Sequence, residues 1–245
     1  RANGIQPSIV SYCSLLHACA KCDDLDRAEK WFSEMRAQGM KPSDVSYSAL
    51  LGACARAGDW QRAERWFVAM DADGTAPTTV CFNSVIRACA RGGQNDRAES
   101  WLRRMLREDT LLDYIPHVSV SPAVAPTEHS FTAVVQAYAV GGGYRDAERI
   151  ISEMRSHGLA MNEHCITALI TAYANARPRP LERVEAAVRE YMREGRSLTS
   201  HVEHAIQRCV GPSRSAVLIG ELGLPVVQGN SPIGRGGGHR LHRAP

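Results

Sequence analysis

Five kinds of residue recur in this chain at a fixed step of 35. In the first three copies they are Tyr12, Tyr47 and Phe82; Cys19, Cys54 and Cys89; Ala28, Ala63 and Ala98; Trp31, Trp66 and Trp101; and Met35, Met70 and Met105. A fixed period between about 20 and 50 residues is the signature of a solenoid, in which similar supersecondary units stack end to end.

The second copy shows what the unit must be. Its first half carries apolar residues at helical spacing, and Gly58 and Asp59 then supply a helix end and a helix start. Its second half carries another stripe and closes with Gly74 and Pro77. The stripes are Val45, Leu50, Leu51 and Cys54, then Trp60, Ala63, Trp66, Phe67 and Met70. One helical hairpin cannot bury them alone, so the pattern predicts an all-α fold, an α-α superhelix with a long groove.

The copies divide the chain into consecutive segments. Residues 1–8 match the end of a unit, so we expect a fragment with earlier units before it. Units are expected at 9–43, 44–78, 79–127, 128–162 and 163–199, the third with an insertion in 106–126. We expect this insertion to form an irregular loop whose start could lengthen the preceding helix; it is either a tolerated surface insertion or a loop that binds a partner. Residues 200–227 are interpreted as a degenerate cap with helices at 200–210 and 215–222, and 228–245 as a disordered Gly/Arg/His tail.

Composition favours a binding surface over catalysis. The chain has 29 Lys and Arg against 26 Asp and Glu, and a net charge of +3 does not by itself indicate a nucleic-acid ligand. It contains no phosphate-binding glycine loop of the usual spacing, no H-E-x-x-H motif and no isolated acid pair. We therefore expect neither an enzyme nor a cofactor, and no apolar run of about 18 residues predicts a membrane span.

The recurring cysteines and acids have structural interpretations. One repeated position accounts for three of the eight cysteines, which favours small packing residues in a reducing compartment over disulfides. Cys19 and Cys22 are a lone C-x-x-C pair, and His239 and His242 lie in the tail, so we predict no metal site. The acids that recur on one helix face are expected to be solvated or to bond neighbouring units; they are Glu29, Glu64 and Glu99.

The residue order within the unit resembles the pentatricopeptide repeat. The resemblance rests on V-x-Y-x-x-L-L-x-A-C-A, on A-E-x-W-F-x-x-M and on a closing G-x-x-P. The related tetratricopeptide repeat places its tryptophan early in the first helix, whereas the tryptophans here fall in the second helix. The resemblance implies a stack of helical hairpins whose first helices line a groove for single-stranded RNA, one base per unit.

The resemblance also implies roles for three positions in each unit. The second residue sandwiches a base, and here it is Val10, Val45, Val80, His129 or His164. The fifth and last residues read the base; the pairs are Cys13 with Ser43, Ser48 with Thr78, Asn83 with Thr127, Thr132 with Asn162, and Thr167 with Thr199. The family associates the fourth pair with adenine and an asparagine at the fifth position with a pyrimidine. Helix capping or a solvated turn is the structural alternative for each Ser and Thr.

Two functions follow as hypotheses. The first is an RNA-binding protein of the mitochondrion or chloroplast that acts in transcript processing, stability, editing or translation, with single-stranded RNA as partner. The second, favoured by the near-neutral charge, is a protein-binding scaffold such as a subunit of an organellar ribosome. A nuclease built on such repeats would need a separate metal-dependent domain, which we do not expect in this sequence.

Overall fold

The computed structural model describes residues 7–108, 121 and 124–221, and in these ranges all regular structure is α-helical. Twelve helices follow one another there in six pairs. They are α1 (Ile9–Lys21), α2 (Leu25–Ala37), α3 (Asp44–Ala57), α4 (Trp60–Ala72), α5 (Thr79–Arg91), α6 (Asn95–Leu106), α7 (Glu128–Val140), α8 (Tyr144–Ser156), α9 (Glu163–Asn175), α10 (Leu181–Arg193), α11 (Ser200–Val210) and α12 (Pro212–Glu221). The predicted all-α solenoid of helical hairpins is confirmed.

Small polar residues fix where the helices begin. The odd-numbered helices, called first helices below, are preceded by Ser, Thr or Asn in extended conformation. The side chain of Ser43 accepts a hydrogen bond from the third amide of α3, and that of Asn162 accepts from Cys165 at 2.8 Å in α9. Asp59 caps α4 by accepting from the Arg62 amide at 2.9 Å. Each cap satisfies an amide that the helix itself leaves unpaired.

The tight turns inside successive hairpins pack directly against each other. Gly58 ends α3 in the left-handed conformation, at φ +70°. A Cβ atom on Gly92, in the equivalent turn of the next unit, would lie 2.8 Å from the carbonyl oxygen of Gly58. A Cβ atom on Gly142 would lie 2.9 Å from the carbonyl carbon of Asn175. Glycine is needed at these points because the backbones of neighbouring units approach closely.

The helices form two layers. Each first helix packs against the first helices of the units on either side, so α1, α3, α5, α7, α9 and α11 form one continuous layer. Each even-numbered helix, called a second helix below, packs against the first helix of its own unit. The second helices from α2 to α10 also pack against the first helix of the following unit. The core lies between the layers. Leu50, Leu51 and Cys54 are buried in it, but Val45 is half exposed, so its place in the predicted core stripe was wrong.

Aromatic residues fill the junctions between the early units. Phe32 of α2 packs against Tyr47 of the next first helix and Trp66 of the next second helix, with ring centroids 4.9 and 5.1 Å apart. One unit later, Phe67 meets Phe82 and Trp101 at 4.7 and 4.9 Å. Tilted and edge-on rings at these distances add attraction beyond the area they bury.

A glutamate at the fifth position of each second helix from α2 to α10 bonds to the following unit. Glu29 accepts from the indole N–H of Trp66 at 2.6 Å, and Glu64 accepts from that of Trp101 at 3.0 Å. Arg97 donates two hydrogen bonds to Glu64, at 3.0 and 3.1 Å. Of the two predicted alternatives, bonding between units is therefore correct. In later units the acceptors and their donors are Glu99 with Arg149 and Tyr138, Glu148 with Arg183 and Tyr173, and Glu185 with Arg214.

The donor to this glutamate changes from tryptophan to tyrosine along the chain. Early units combine a small cysteine in the first helix with a tryptophan at the seventh position of the second helix. In the fourth unit Tyr138 replaces the cysteine and Ile150 replaces the tryptophan, and the tyrosine hydroxyl lies 2.6 Å from Glu99. In the fifth unit Tyr173 and Ala187 stand at these positions, and the hydroxyl lies 2.7 Å from Glu148. Both combinations give the acid a hydrogen-bond donor.

The third unit departs from the others after α6. Its second helix ends at Leu106, and Arg107 follows in the left-handed conformation at φ +61°. The predicted lengthening of this helix by the insertion was therefore wrong. Residues 109–120, 122 and 123, which make up most of the insertion, lie outside the described residues. Beyond them Val124 is buried, and the Thr79 hydroxyl donates to the carbonyl of Ala125 at 3.3 Å.

The described part of the chain ends with a sixth, shorter hairpin. Helices α11 and α12 have 11 and 10 residues, and Arg214 of α12 reaches Glu185 of the previous unit at 2.8 Å. The interpretation of 228–245 as a disordered tail, with His239 and His242, lies outside the described residues. So do residues 1–6 and the end of the predicted cap at 222–227.

Burial explains the recurring cysteines. Cys19, Cys54 and Cys89 are buried, and all eight cysteines are free thiols. Burial raises the pKa of the Cys54 and Cys89 thiols to about 12, so both stay neutral. They act as small packing residues, as predicted.

No cluster of three or more potential metal ligands occurs among the described residues. Within the same ranges, no helix has both the length and the apolar character needed to span a bilayer.

Candidate nucleic-acid interface

The layer of first helices exposes one residue near the start of each helix. Val10, Val45 and Val80 expose 73%, 50% and 59% of their surface. His129 and His164, at the same position of the fourth and fifth units, are also exposed. Because one such residue comes from each successive helix of a continuous layer, the five form a row. An exposed row of this kind is suited to contact flat ligands, the valines by apolar contact and the imidazole rings by stacking.

Beside this row, the fifth residue of one unit meets its last residue, which caps the next first helix. In the fourth unit the Thr132 hydroxyl donates to Asn162 Oδ1 at 3.4 Å. In the third unit Ser130 joins the pair, because its hydroxyl donates to Asn83 Oδ1 at 2.6 Å and lies 3.3 Å from the Thr127 hydroxyl. Both pairs combine a hydroxyl with an amide group.

The first and second units bring the two residues together with different side chains, and the fifth unit does not. In the second unit the hydroxyls of Ser48 and Thr78 both lie near Cys81 Sγ, at 3.3 and 3.4 Å. In the first unit burial raises the pKa of the Cys13 thiol against the opposing effect of a hydrogen bond with Ser43. In the fifth unit the pair is not joined. Instead, Thr199 donates to Glu163 at 2.7 Å, and the buried Thr167 hydroxyl has no hydrogen-bond partner among the described residues.

Helix capping therefore falls on side chains that were also predicted to contact a ligand. Asn162 Oδ1 accepts both from Thr132 and from the Cys165 amide, so its Nδ2 group is the part left to donate to a ligand. Thr132 is buried, with 5% of its surface exposed. The capping alternative is thus correct for Ser43 and Thr199, and Asn162, for which it was not predicted, caps a helix as well.

The groove deepens between α5, α7 and α9. A cavity of about 440 Å³ opens there, and it collects candidate residues from three consecutive units. Its lining comprises Val80, Asn83, Arg87, His129, Thr132, Ala133, Gln136 and His164. The cavity therefore combines the second residues of three units with the fifth residues of two.

Arg87 and Gln136 were not predicted, although a sequence signal for them exists. Residues 80, 83 and 87 are spaced i, i+3 and i+7, as are 129, 132 and 136, so each set lies on one helix face. The ninth residue of a unit should therefore be included with the second and the fifth. At this position Arg87 presents a guanidinium to the groove.

Arg87 belongs to a basic patch with Arg56 and Arg91. Desolvation, followed by repulsion from these two neighbours, lowers the pKa of the Arg87 guanidinium, which nevertheless stays charged at neutral pH. Arg87 forms no ion pair with any residue in the described part of the chain, unlike Arg56, which lies 3.5 Å from Asp23. A guanidinium held near like charges favours the approach of an anion such as phosphate.

Fold and groove together define a helical-repeat protein whose layer of first helices exposes a side chain at the same position of successive units. The sequence profile of the pentatricopeptide repeat domain matches residues 1–56 and 37–94, and the PPR repeat profile matches 80–110 and 129–159. The matched segments cover more than half of the 245 residues. The chain belongs to the pentatricopeptide repeat family. No curated protein sequence matches it significantly.

Solved structures share the fold at low sequence identity. The maize pentatricopeptide repeat protein PPR10 superposes with a TM-score of 0.68 and 22% identity, over 91% of this chain and 30% of its own. PPR10 in complex with an 18-nucleotide psaJ RNA element gives 0.70 and 21%, over 89% and 30%. The PPR domain of Arabidopsis thaliana protein-only RNase P 1, in complex with tRNA, gives 0.59 and 17%, over 78% and 93%. The chain thus spans less than a third of PPR10.

Proposed function

We propose that the groove binds single-stranded RNA, with one base against each unit. The observation that carries this proposal is the meeting of the fifth and last residues beside an exposed second residue, as in Thr132, Asn162 and His129. A base lying against the second residue would present its edge to the polar pair. Two solved structures of similar fold contain RNA, which supports this choice of ligand.

The chemistry of the groove suits an unpaired strand. Exposed histidine rings can stack on any base and exposed valines can make apolar contact with it, because every base has an aromatic face. Amide and hydroxyl groups can then distinguish base edges by donating and accepting hydrogen bonds. Arg87 supplies a positive charge for the backbone, which attracts the strand at low salt.

The function we infer is binding rather than catalysis by these repeats. RNA held in this way is shielded from nucleases and presented to other factors, so we propose a role in transcript processing, stability, editing or translation. The family resemblance supports a mitochondrial or chloroplast location for that role. Protein partners would then be recruited by the RNA complex or by the outer faces of the second helices.

The test is a substitution of Asn162 that keeps its helix-capping hydrogen bond but changes the group offered to a base. Asn162→Asp keeps an oxygen that accepts from the Cys165 amide, but it replaces the Nδ2 donor by an acceptor. We expect the preference at one RNA position to shift from adenine, whose N1 accepts, towards guanine, whose N1–H donates. The expected change in the ratio of the two affinities is about tenfold, within the range for one well-placed base contact.

The measurement is fluorescence anisotropy at low salt with RNA oligonucleotides that vary at one position. Asp59→Asn is the matched control, since it makes the reverse exchange at the N-cap of a second helix. It should leave the base preference unchanged. If Asn162→Asp changes affinity for all sequences equally, the proposed base contact is wrong. If the wild-type chain does not bind RNA even at low salt, RNA binding by this chain is rejected and the protein-scaffold hypothesis takes its place.

A further inference from the structure

The second helices contain a repeated tryptophan socket, which we define as an acid and an apolar residue that together hold the tryptophan of the next unit. In the first example Trp66, the seventh residue of α4, donates its indole N–H to Glu29 at 2.6 Å. Its ring packs edge-on against Phe32 at 5.1 Å. Glu29 and Phe32 are the fifth and eighth residues of α2.

The second example repeats this geometry with complete burial. Trp101, the seventh residue of α6, donates to Glu64 at 3.0 Å and packs against Phe67 at 4.9 Å. Trp101 is fully buried. Glu64 and Phe67 are again the fifth and eighth residues of the preceding second helix. The chain thus shows twice how an indole ring is held at this place.

Between α8 and α10 the same socket stands without a tryptophan. Its acid is Glu148 and its apolar residue is Ile151, the fifth and eighth residues of α8. The seventh residue of α10 is Ala187, which is too short to fill the space. A cavity of about 230 Å³ opens here, lined by Glu148, Ile151, Arg155, Met161, Leu169, Tyr173, Arg183, Ala186, Ala187 and Glu190.

The volume and chemistry of this cavity suit an indole ring. The space remains although Tyr173 already lies beside Glu148, and an apolar protein cavity of about 150 Å³ is known to admit benzene. Ile151, Met161 and Leu169 supply apolar contact. Glu148 accepts from Tyr173 at 2.7 Å and from Arg183 at 2.6 Å, and the four lone-pair sites of a carboxylate leave room for an indole N–H.

The rim of the cavity is open and charged. Arg183, Ala186 and Glu190 on α10 are exposed; Arg155 of α8 pairs with Glu190 across the opening at 3.0 Å, and a peptide would have to share these charged groups. Cationic and anionic side chains at one opening can bond both the carbonyl and the N–H groups of a peptide. This rim distinguishes a polypeptide ligand from a bare aromatic molecule.

We propose that this vacant socket binds the indole ring of a tryptophan side chain presented by a partner protein. The partner's tryptophan would take the place that Trp66 and Trp101 take in the earlier units. The site lies on the layer of second helices, so its occupation is independent of the groove between the first helices.

The first test uses indole as the probe, measured by equilibrium dialysis and by thermal unfolding. We expect saturable uptake of one indole per chain and a rise in Tm with concentration. Benzofuran has the same shape but no N–H donor, so it should bind at least about tenfold more weakly. Absence of indole uptake at ~10 mM, or equal binding of both probes, would overturn the proposal.

The second test fills the cavity from within. Ala187→Trp should abolish indole uptake, whereas Val217→Trp, which adds a tryptophan at a largely exposed position of α12, should leave it unchanged. If Ala187→Trp does not fold, Ala187→Met fills the same space with a flexible side chain. Uptake that persists in a folded cavity-filling variant would place the indole elsewhere and refute the assignment.

The third test separates a partner protein from a small molecule. N-acetyl-tryptophanamide carries the indole ring on a peptide-like backbone. We expect it to compete with indole and to bind at least as tightly, because the charged rim can bond its amides. If indole binds but N-acetyl-tryptophanamide does not compete, the site does not accept a polypeptide tryptophan and the proposal fails.

Discussion

The junction between the second and third units depends on Glu64. Its side chain is 9% exposed and accepts two hydrogen bonds from Arg97 and one from Trp101, whose indole is fully buried. Glu64→Ala would leave the indole N–H without its acceptor and would take from Arg97 its bidentate ion pair. Removing one partner of a buried ion pair costs about 3–5 kcal/mol, so we expect the free energy of unfolding to fall by that amount.

The equivalent change one unit earlier should be much milder. Glu29 is 20% exposed, and its partner Arg65 is 63% exposed, so water replaces much of what Glu29→Ala removes. We expect a loss of about 1 kcal/mol there. Urea unfolding followed by circular dichroism measures both variants, and hydrogen exchange shows whether the weakened junction lets the first two units open separately. Equal losses for the two variants would refute the argument that burial sets the strength of this row.

Two further predictions concern single residues. Burial raises the pKa of Glu99, but hydrogen bonds from Arg149 and Tyr138 outweigh it and hold the pKa at about 2, well below the ordinary value. Its stabilisation is therefore complete above pH ~4.5 and is lost as the pH falls towards 2, so Glu99→Gln should remove about 2–3 kcal/mol of acid-dependent stability in urea titrations between these pH values. Gly142→Ala should lower the free energy of unfolding by at least about 1 kcal/mol, because φ is +72° and the new methyl group meets the backbone of the next unit. Gly141→Ala, where a Cβ would meet nothing, is the control and should change stability by less than about 0.5 kcal/mol.

Most of the fold could be predicted from the 35-residue period, because the period shows which residues are buried and where each hairpin turns. A helix cap and a left-handed glycine are local features, so Gly58 and Asp59 could be interpreted from sequence alone. The end of α6 could not, because Arg107 adopts the left-handed conformation without being glycine. Val45 was assigned both to the apolar stripe, by its spacing, and to the groove, by the family resemblance; its 50% exposure contradicts only the first assignment.

The exchange between tryptophan and tyrosine donors was hidden for a different reason. Tyr138 lies in a first helix and Ile150 in a second helix, yet both replace parts of one arrangement around Glu99, 39 residues before the tyrosine. Only the folded junction shows that a larger residue in one helix compensates for a smaller one in the other. The vacant socket at Ala187 was likewise invisible, because a cavity depends on the distances between several helices.

The glutamate at the fifth position of the second helices has a consequence for how such a chain can change length. Because each copy carries the same acceptor in its second helix, and either a tryptophan or a tyrosine of the next copy can donate to it, two copies that were not originally adjacent could still form this hydrogen bond. Duplication or loss of a whole unit by genetic recombination would then lengthen or shorten the layer of first helices by one helix. Each new junction would still be bridged by an ion pair to the glutamate.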